Sequence, residues 1–163
     1  MKNISKTIAI FVAVMSLHIS YSCSDGIHTE EIDKATNVVD SFAGHYFNLD
    51  LKASLSYCTP ESNLWLSFLA SNINQEDIDV INEQEEPAKT EIENVELISD
   101  TSATATCIVK NFLKLDTLGK PGRIVDEEKY MINLVKRNGK WLVKMEGLPQ
   151  NEKQSHGLNQ DEI

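Results

Sequence analysis

Acid–base chemistry in this chain would need a carboxylate that converges with a histidine or a tyrosine. The candidates by residue type are Asp40, His45, Tyr46, Tyr57 and Tyr130. Such a set can move protons to and from a substrate only if its groups share one pocket. Nothing in the spacing forces that convergence, and a histidine at the edge of a buried helix face is more often a hydrogen-bonded rim residue. We therefore assign no catalytic residue.

Metal chemistry has less support in the sequence. His28, His45 and His156 lie in different segments, and none has a cysteine or histidine at ligand spacing. The acidic run from Glu76 to Glu86 lacks the central glycine of a calcium-binding loop. We expect no metal and no cofactor, and we interpret the acidic run as a solvated segment.

Two cysteines, Cys58 and Cys107, lie on predicted buried faces of a helix end and a strand. Outside the cytoplasm such a pair can oxidise. A disulfide between them would contribute about 2–4 kcal/mol by restricting the unfolded chain. Two separate thiols would instead pack as small apolar side chains. Both alternatives stay open, with free thiols slightly favoured.

The first 22 residues have the three parts of an export signal. Lys2 and Lys6 give a positive start, and residues 7–19 form an uncharged apolar run that is too short to span a bilayer. Small residues then precede Cys23. They fit a lipoprotein signal, in which this cysteine carries a diacylglycerol, and they also fit ordinary signal cleavage at the same place. Ser20 stands where a lipoprotein signal usually has leucine. We favour the lipoprotein, with Cys23 as the anchor.

The segment that follows, residues 23–32, is polar and acidic and resembles the tether behind the lipid in many lipoproteins of the Bacteroidetes. Removing residues 1–22 takes away two lysines and no acidic residue, so the formal net charge changes from −10 to −12. This balance argues against nucleic-acid binding, which needs clustered lysine and arginine, and against electrostatic docking on anionic lipid. The lipid itself would therefore hold the protein at the membrane.

Three helices are predicted in the first half of the mature chain. Residues 34–50 place their apolar side chains on one helical face, with Asp33 or Thr36 as N-cap. Asp50 caps a short second helix, and Pro60 marks the start of a third. The residues expected to form the buried face of this third helix are Leu64, Trp65, Phe68 and Leu69. The acidic stretch behind it forms either a short helix or a solvated loop.

Strand periodicity begins after Pro87. The four segments that alternate or pair as strands are residues 89–100, 102–115, 127–137 and 140–145. In the second, Ala103, Ala105, Cys107 and Val109 are predicted to face inward. Asn138-Gly139 is the strongest hairpin signal, because both turn residues need positive φ.

These elements predict an α+β domain in which two to three N-terminal helices pack on a curved four-stranded antiparallel sheet. The mature length suits a single domain. The predicted segments are a lipoprotein signal peptide (1–22), a lipid anchor and acidic tether (23–32), the α+β domain (33–147) and a polar C-terminal tail (148–163).

Two stretches resemble a known family. The helical "VVDSFAGHYFNLDLKASLSYCTPES" and the closing "YMINLVKRNGKWLVKME" resemble NTF2-like (cystatin-like) lipoproteins of the DUF4878 type from the Bacteroidetes, and the likeness covers about residues 33–146. One departure is that the family often has Gly-Asp between the first two helices, where this chain has Asn48-Leu49-Asp50.

The resemblance implies a cone-shaped α+β fold with a pocket between the helices and the sheet, and it implies no single activity. The candidate pocket residues are His45, Tyr46, Tyr130 and Trp141. In addition, Asp116-Thr117-Leu118 resembles the O-glycosylation site of Bacteroidetes proteins, with Thr117 as the modified residue. An ordinary turn is the alternative for this tripeptide.

We therefore expect a lipid-anchored envelope protein on the periplasmic or surface side of the outer membrane. The main hypothesis is a non-catalytic domain that binds a small molecule or peptide, and a wide apolar cavity would favour it. The second is a protein-interaction module of an envelope complex without a pocket. The third is an isomerase or dehydratase-type enzyme, which a buried polar group would favour. An interior filled by the following residues would favour the interaction module: Phe42, Phe68, Trp141 and Met145.

Overall fold

The structure is a computed structural model that describes residues 24–115 and 121–151, with side chains from residue 28. Contacts divide the chain into the units Met1–Glu31 and Ile32–Ile163, and the site discussed below lies within the second. The described α-helices are α1 (Ser24–Tyr46), α2 (Leu51–Ser54), α3 (Asn63–Asn72) and α4 (Gln75–Asn82), with 3₁₀ turns at Leu55–Tyr57 and Pro60–Ser62. The described strands are β1 (Lys89–Ser99), β2 (Ser102–Lys114), β3 (Arg123–Arg137), β4 (Lys140–Val143) and β5 (Gln150–Asn151).

The strands form one antiparallel sheet in the order β1-β2-β3-β4, and β5 also pairs with β3. Strands that are neighbours in the sheet are also neighbours in sequence, so β1 to β4 form a meander. This meander follows the helices in the sequence. The predicted α+β class is confirmed. No helix within the described residues is long and apolar enough to cross a membrane.

The predicted hairpin between β3 and β4 is also confirmed. Asn138 and Gly139 have φ values of 51° and 76°, and Arg137 pairs with Lys140 on either side of the turn. Both turn residues therefore lie in the left-handed region, which asparagine and glycine adopt at low cost. This turn sets the register of β4 against β3.

The inner face of β2 follows the predicted alternation up to Val109. Beyond it, Asn111 has a φ of 53°, and Phe112 is buried in place of the next residue in the alternation. A local irregularity of this kind moves the inward face of a strand by one position. It brings Phe112 into the core, where its ring lies 5.5 Å from that of Phe47.

The core lies between α1 and the inner face of the sheet. Val39 and Phe42 are fully buried, and Trp141 and Met145 are buried on the sheet side. At the end of α1 the ring of Phe47 lies 4.8 Å from that of Tyr130. Large side chains therefore fill the space between the helix and the sheet.

Two boundaries differ from the expected ones, and one open alternative is decided. α1 begins at Ser24, within the segment expected to be a tether, rather than at Asp33 or Thr36. The acidic stretch forms α4, because Asn74 and Asp77 make a reciprocal capping box at its start. β5 lies inside the segment expected to be a loose tail, because its two residues pair with Tyr130 and Met131.

The buried face of α3 was predicted wrongly in part. Leu66 and Leu69 are buried, whereas Leu64 is 67% exposed and Phe68 is 39% exposed. Almost every position from 64 to 69 is apolar, so periodicity alone fits more than one face. The rotation of α3 about its axis is fixed by a contact just before the helix. There the buried Ser62 hydroxyl accepts a hydrogen bond from the backbone N–H of Met145, two residues after β4 (3.0 Å).

Candidate functional site

A groove of about 400 Å³ lies between α1 and the edge strand β4. From α1 it is lined by Lys34, Asn37 and Val38, which lie on one face because they are three and four residues apart. We call this cavity the Trp141 groove, after the residue that β4 contributes. Its volume falls within the roughly 300–1,000 Å³ typical of small-molecule sites.

The second wall comes from the 3₁₀ turn Leu55–Tyr57, which contributes Tyr57 and Ser56. Two contacts hold this turn against the sheet. Cys58 forms a parallel bridge with Val143, and the N–H of Thr59 donates to the Val143 carbonyl at 2.9 Å. The connection between α2 and α3 is thereby fixed beside β4, which places the tyrosine at the groove.

The third wall is the β3–β4 hairpin, which contributes Lys140, Trp141 and Leu142 together with the turn glycine. Trp141 is only 4% exposed, so its indole forms part of the wall and does not project into the groove. The Lys136 ammonium lies 5.7 Å from the centroid of the Trp141 ring. This cation–π contact stabilises the ring on its core side.

His45 lies at the end of α1, outside the set of residues that line the groove. Its Nδ1 is 3.2 Å from Oδ2 of Asp50, and its ring is stacked on that of Tyr57 with centroids 6.0 Å apart. Both members of the His45–Asp50 pair are well exposed. The stacked His45 ring therefore helps to hold the Tyr57 ring at the groove.

Tyr46 lies in the core and not in the groove. Its ring is stacked 5.2 Å from Phe42 and meets Phe47 edge-on at 5.0 Å. Burial, and to a smaller extent the nearby Cys58, raises the pKa of the Tyr46 hydroxyl well above its ordinary value. The hydroxyl is therefore protonated at neutral pH, and Tyr46 is a packing residue.

Tyr130 takes part in a polar cluster that was not predicted. Its hydroxyl donates to Oε2 of Glu128 (3.1 Å), and the Lys114 ammonium lies 2.7 and 2.8 Å from the two carboxylate oxygens. The Asn151 side chain also donates to Glu128 (3.2 Å). Glu128 and Tyr130 are two residues apart on β3 and so share a face. This spacing is the feature of the sequence that could have predicted their contact.

The environment of Glu128 keeps its carboxylate ionised. Partial burial by itself would raise the pKa of Glu128, but the hydrogen bonds from Lys114, Asn151 and Tyr130 outweigh it and lower that pKa. A carboxylate with a lowered pKa and two occupied oxygens is a weak proton acceptor. The Glu128 cluster is therefore suited to holding β5 and the end of β2 against β3.

The five acid–base candidates do not meet in one site, although His45 and Tyr57 are stacked on each other beside the carboxylate of Asp50. Asp40 is exposed, His45 and Tyr57 lie near the groove, Tyr46 is in the core, and Tyr130 belongs to the Glu128 cluster. Of the four candidate pocket residues, only Trp141 lines the groove.

A smaller cavity of about 250 Å³ lies beside β3 and the segment that leads to β5. Among its lining residues are Phe42, Ile132, Met145 and Leu148. None of the candidate residues that the sequence singled out contributes to it. Because its walls include side chains of the core, we interpret it as a packing gap below the chain that connects β4 to β5.

Cys58 and Cys107 are free and buried in the structure. Burial raises the pKa of each thiol to about 12. Both therefore stay protonated at neutral pH and are poor nucleophiles. In the structure the two thiols pack separately, as small apolar side chains.

Two candidate modification sites, Cys23 and Thr117, lie outside the described residues and stay predictions. Within residues 24–115 and 121–151, no group of three or more histidine, cysteine, aspartate or glutamate side chains is placed to hold a metal ion.

No protein-family model matches the chain, and no curated protein matches it. Among solved structures, it is similar to an NTF2-like protein of unknown function from Shewanella oneidensis MR-1. The TM-score is 0.46 at 11% identity, over 68% of this chain and 92% of that one.

Two further solved structures resemble the chain. One is a protein from Campylobacter jejuni proposed to be an NTF2-like transpeptidase (TM-score 0.45, 18% identity, 68% of this chain and 97% of that one). The other is a protein of unknown function from Mycobacterium tuberculosis (TM-score 0.47, 11% identity, 82% and 78%). All three TM-scores are below 0.5, and these similarities assign no activity to this chain.

Proposed function

We propose that this protein is an exported, lipid-anchored envelope protein whose NTF2-like domain binds a small molecule without transforming it. The observation that carries the binding proposal is the Trp141 groove, which has a suitable volume and walls from three separate elements. Within the described part of the chain, only Tyr57 of the five acid–base candidates lines the groove, and no aspartate or glutamate lines it, which supports a non-catalytic role. The ionised, fully engaged carboxylate of Glu128 supports it further.

Native mass spectrometry of the full chain, exported from a bacterial host, tests the binding. We expect a retained adduct that disappears on denaturation. Ser56→Trp should remove it, because the exposed Ser56 lines the groove and an indole there would fill the space. Ser67→Trp, at an exposed position of α3 away from the groove, is the matched control. An adduct that survives Ser56→Trp would place the ligand elsewhere and overturn the proposal for this groove.

The proposed anchor is Cys23, and it rests on the export signal in residues 1–22. A diacylglycerol on the cysteine would hold the protein at the outer membrane, because each buried methylene contributes about 0.8 kcal/mol. Fractionation of cells that express Cys23→Ala tests this, with Cys107→Ala as the control. We expect only the first variant to move from the membrane to the soluble fraction.

A second candidate function, an interaction module of an envelope complex, is favoured by the interior, which Phe42, Trp141 and Met145 fill, and by the exposed side of α3. Leu64 and Phe68 lie four residues apart and are both exposed, and the Trp65 ring meets Phe68 edge-on at 6.5 Å. The ten residues of α3 include no charged side chain. Exposed apolar patches of this kind mark contact surfaces. Cross-linking in cells from position 64 should then yield one defined product that Phe68→Ser abolishes.

A further inference from the structure

We propose that the ligand of the Trp141 groove is a small amphiphile with one negative charge, such as a medium-chain carboxylate. This inference rests on the proposed binding function and adds the chemical class of the ligand. The apolar body of the ligand would lie against Val38, Leu142 and the rim of Trp141. Its anionic head would lie near Lys140 and Lys34.

The charge of the groove is opposite to that of the protein. The chain has 25 acidic and 15 basic residues, yet the groove is lined by two lysines and by no aspartate or glutamate. The lysines come from two different elements, Lys34 from α1 and Lys140 from β4. A local positive potential on an acidic protein selects against cations and for anions.

Lys140 is the stronger of the two positive groups. It is exposed, and within the described part of the chain it forms no ion pair. Lys34 has an interaction of its own, so only part of its charge is directed at the groove. Lys136 does not line the groove, and its ammonium lies 5.7 Å from the centroid of the Trp141 ring. We therefore expect Lys140 to contribute most of the preference for an anion.

The remaining walls require an apolar body on the ligand. Val38 and Leu142 are half-buried and offer hydrocarbon surface, while Asn37 and Ser56 offer short polar side chains. Lysine is a point charge that attracts an anionic head without fixing its orientation. Ser56 is exposed at the groove. A compact amphiphile fits these walls better than a sugar or another highly polar molecule.

Three probes of equal chain length separate the contributions of charge and apolar surface. Octanoate, 1-octanol and octylamine are titrated into the full-length protein in low salt by calorimetry. We expect octanoate to bind roughly 2- to 5-fold more tightly than octanol, since a single solvent-exposed charge pair contributes little to affinity. Octylamine should bind most weakly. The advantage of octanoate should shrink as salt is raised, because the lysines are solvent-exposed.

Lys140→Glu should lower the affinity for octanoate more than the affinity for octanol, which abolishes the preference. Lys52→Glu, at an exposed position on α2 outside the groove lining, is the matched control and should change neither. Equal affinity for octanoate and octanol would overturn the proposal that the ligand is an anion, and so would an unchanged preference in Lys140→Glu. Neither result would contradict the proposal that the groove binds a small molecule. If none of the three probes binds, the amphiphile inference fails, and native mass spectrometry still tests the groove function separately. If a probe binds equally well to Ser56→Trp, the groove function itself fails, and this inference fails with it.

Discussion

The buried carboxylate of Asp77 accepts a hydrogen bond from the backbone N–H of Gly122, with 2.6 Å between Oδ1 and N. The other oxygen, Oδ2, accepts from the N–H of Asn74 at 2.9 Å. One side chain thus completes the capping box of α4 and holds the chain just before β3, 45 positions further on. Asp77 is fully buried, so no water can replace it as the partner of these two donors.

We expect Asp77→Ala to lower the free energy of unfolding by about 2–3 kcal/mol, because it leaves two backbone donors without their partner. Asp79→Ala is the matched control, since Asp79 lies on the same helix, is exposed and accepts only from Gln75. Urea denaturation of the two variants measures the difference. Equal losses would mean that the carboxylate of Asp77 has no special role.

Leu49, the third residue after α1, is a non-glycine residue in the left-handed region, with φ at 59°. The β-carbon of an L-residue is strained there, at a cost of about 1–2 kcal/mol. Leu49→Gly should therefore raise stability by about 0.5–1 kcal/mol after the entropy of glycine is subtracted. Leu49→Ala keeps the β-carbon and should bring no gain. A Tm that falls in the glycine variant would show that the leucine side chain outweighs the backbone strain.

The Glu128 cluster predicts an asymmetry between two neighbouring glutamates. Glu128→Gln should cost about 1–3 kcal/mol, because the partly buried Lys114 ammonium loses its carboxylate partner. Glu127→Gln should cost less than about 0.5 kcal/mol, since Glu127 faces solvent and pairs with Lys110 at 3.4 Å. A double-mutant cycle with Lys114→Met isolates the pair. A coupling energy near zero would contradict a stabilising role for the cluster.

The Glu128 cluster also predicts how the stability of the folded protein changes at acid pH. The pKa of Glu128 is lower in the folded protein than its ordinary value of 4.5, so the unfolded chain binds the proton more readily. Its contribution is therefore present above pH 4.5 and is lost as pH falls below that value. Urea midpoints measured between pH 7 and pH 3 should decline less steeply in Glu128→Gln than in the natural protein. Parallel declines would rule out Glu128 as a source of acid sensitivity.

The thiols predict protection from alkylation. Because burial raises the pKa of Cys58 and Cys107 to about 12, iodoacetamide at pH 8 should label neither in the folded protein and both in urea. Peptide mapping reports each cysteine separately. A Cys58–Cys107 disulfide would instead prevent labelling in urea until a reductant is added, which would contradict the free thiols of the structure.

The raised thiol pKa values also predict alkaline sensitivity. The unfolded thiols ionise near their ordinary pKa of 9, whereas the folded ones ionise near 12. The stabilising contribution is thus complete below pH 9 and is lost as pH rises toward 12. Cys107→Ala should weaken the decline of the Tm over this interval. An unchanged decline would assign the effect to other groups.

Local chemistry explains what could be predicted from the residues alone. The change from helical to alternating periodicity at Pro87 separates the helices from the meander. Asn138-Gly139 defines the hairpin because few residues tolerate two successive positive φ values. Asp50 caps α2 as expected, accepting from the Ala53 N–H at 3.2 Å. These features depend on a few neighbouring residues, so the folded context does not alter them.

Long-range contacts decided the rest. Residues beside one another in the structure can be far apart in sequence, so no local pattern reports the pairing of Asn151 with Tyr130 or of Gly122 with Asp77. Which apolar face of α3 is buried depends on Ser62 and its partner beyond β4. The Trp141 groove has the same origin: its three walls meet only because Cys58 and Thr59 are bonded to Val143. The resemblance made Trp141 a candidate for a pocket between the helices and the sheet, whereas tertiary packing places it in the wall of a groove beside the edge strand β4.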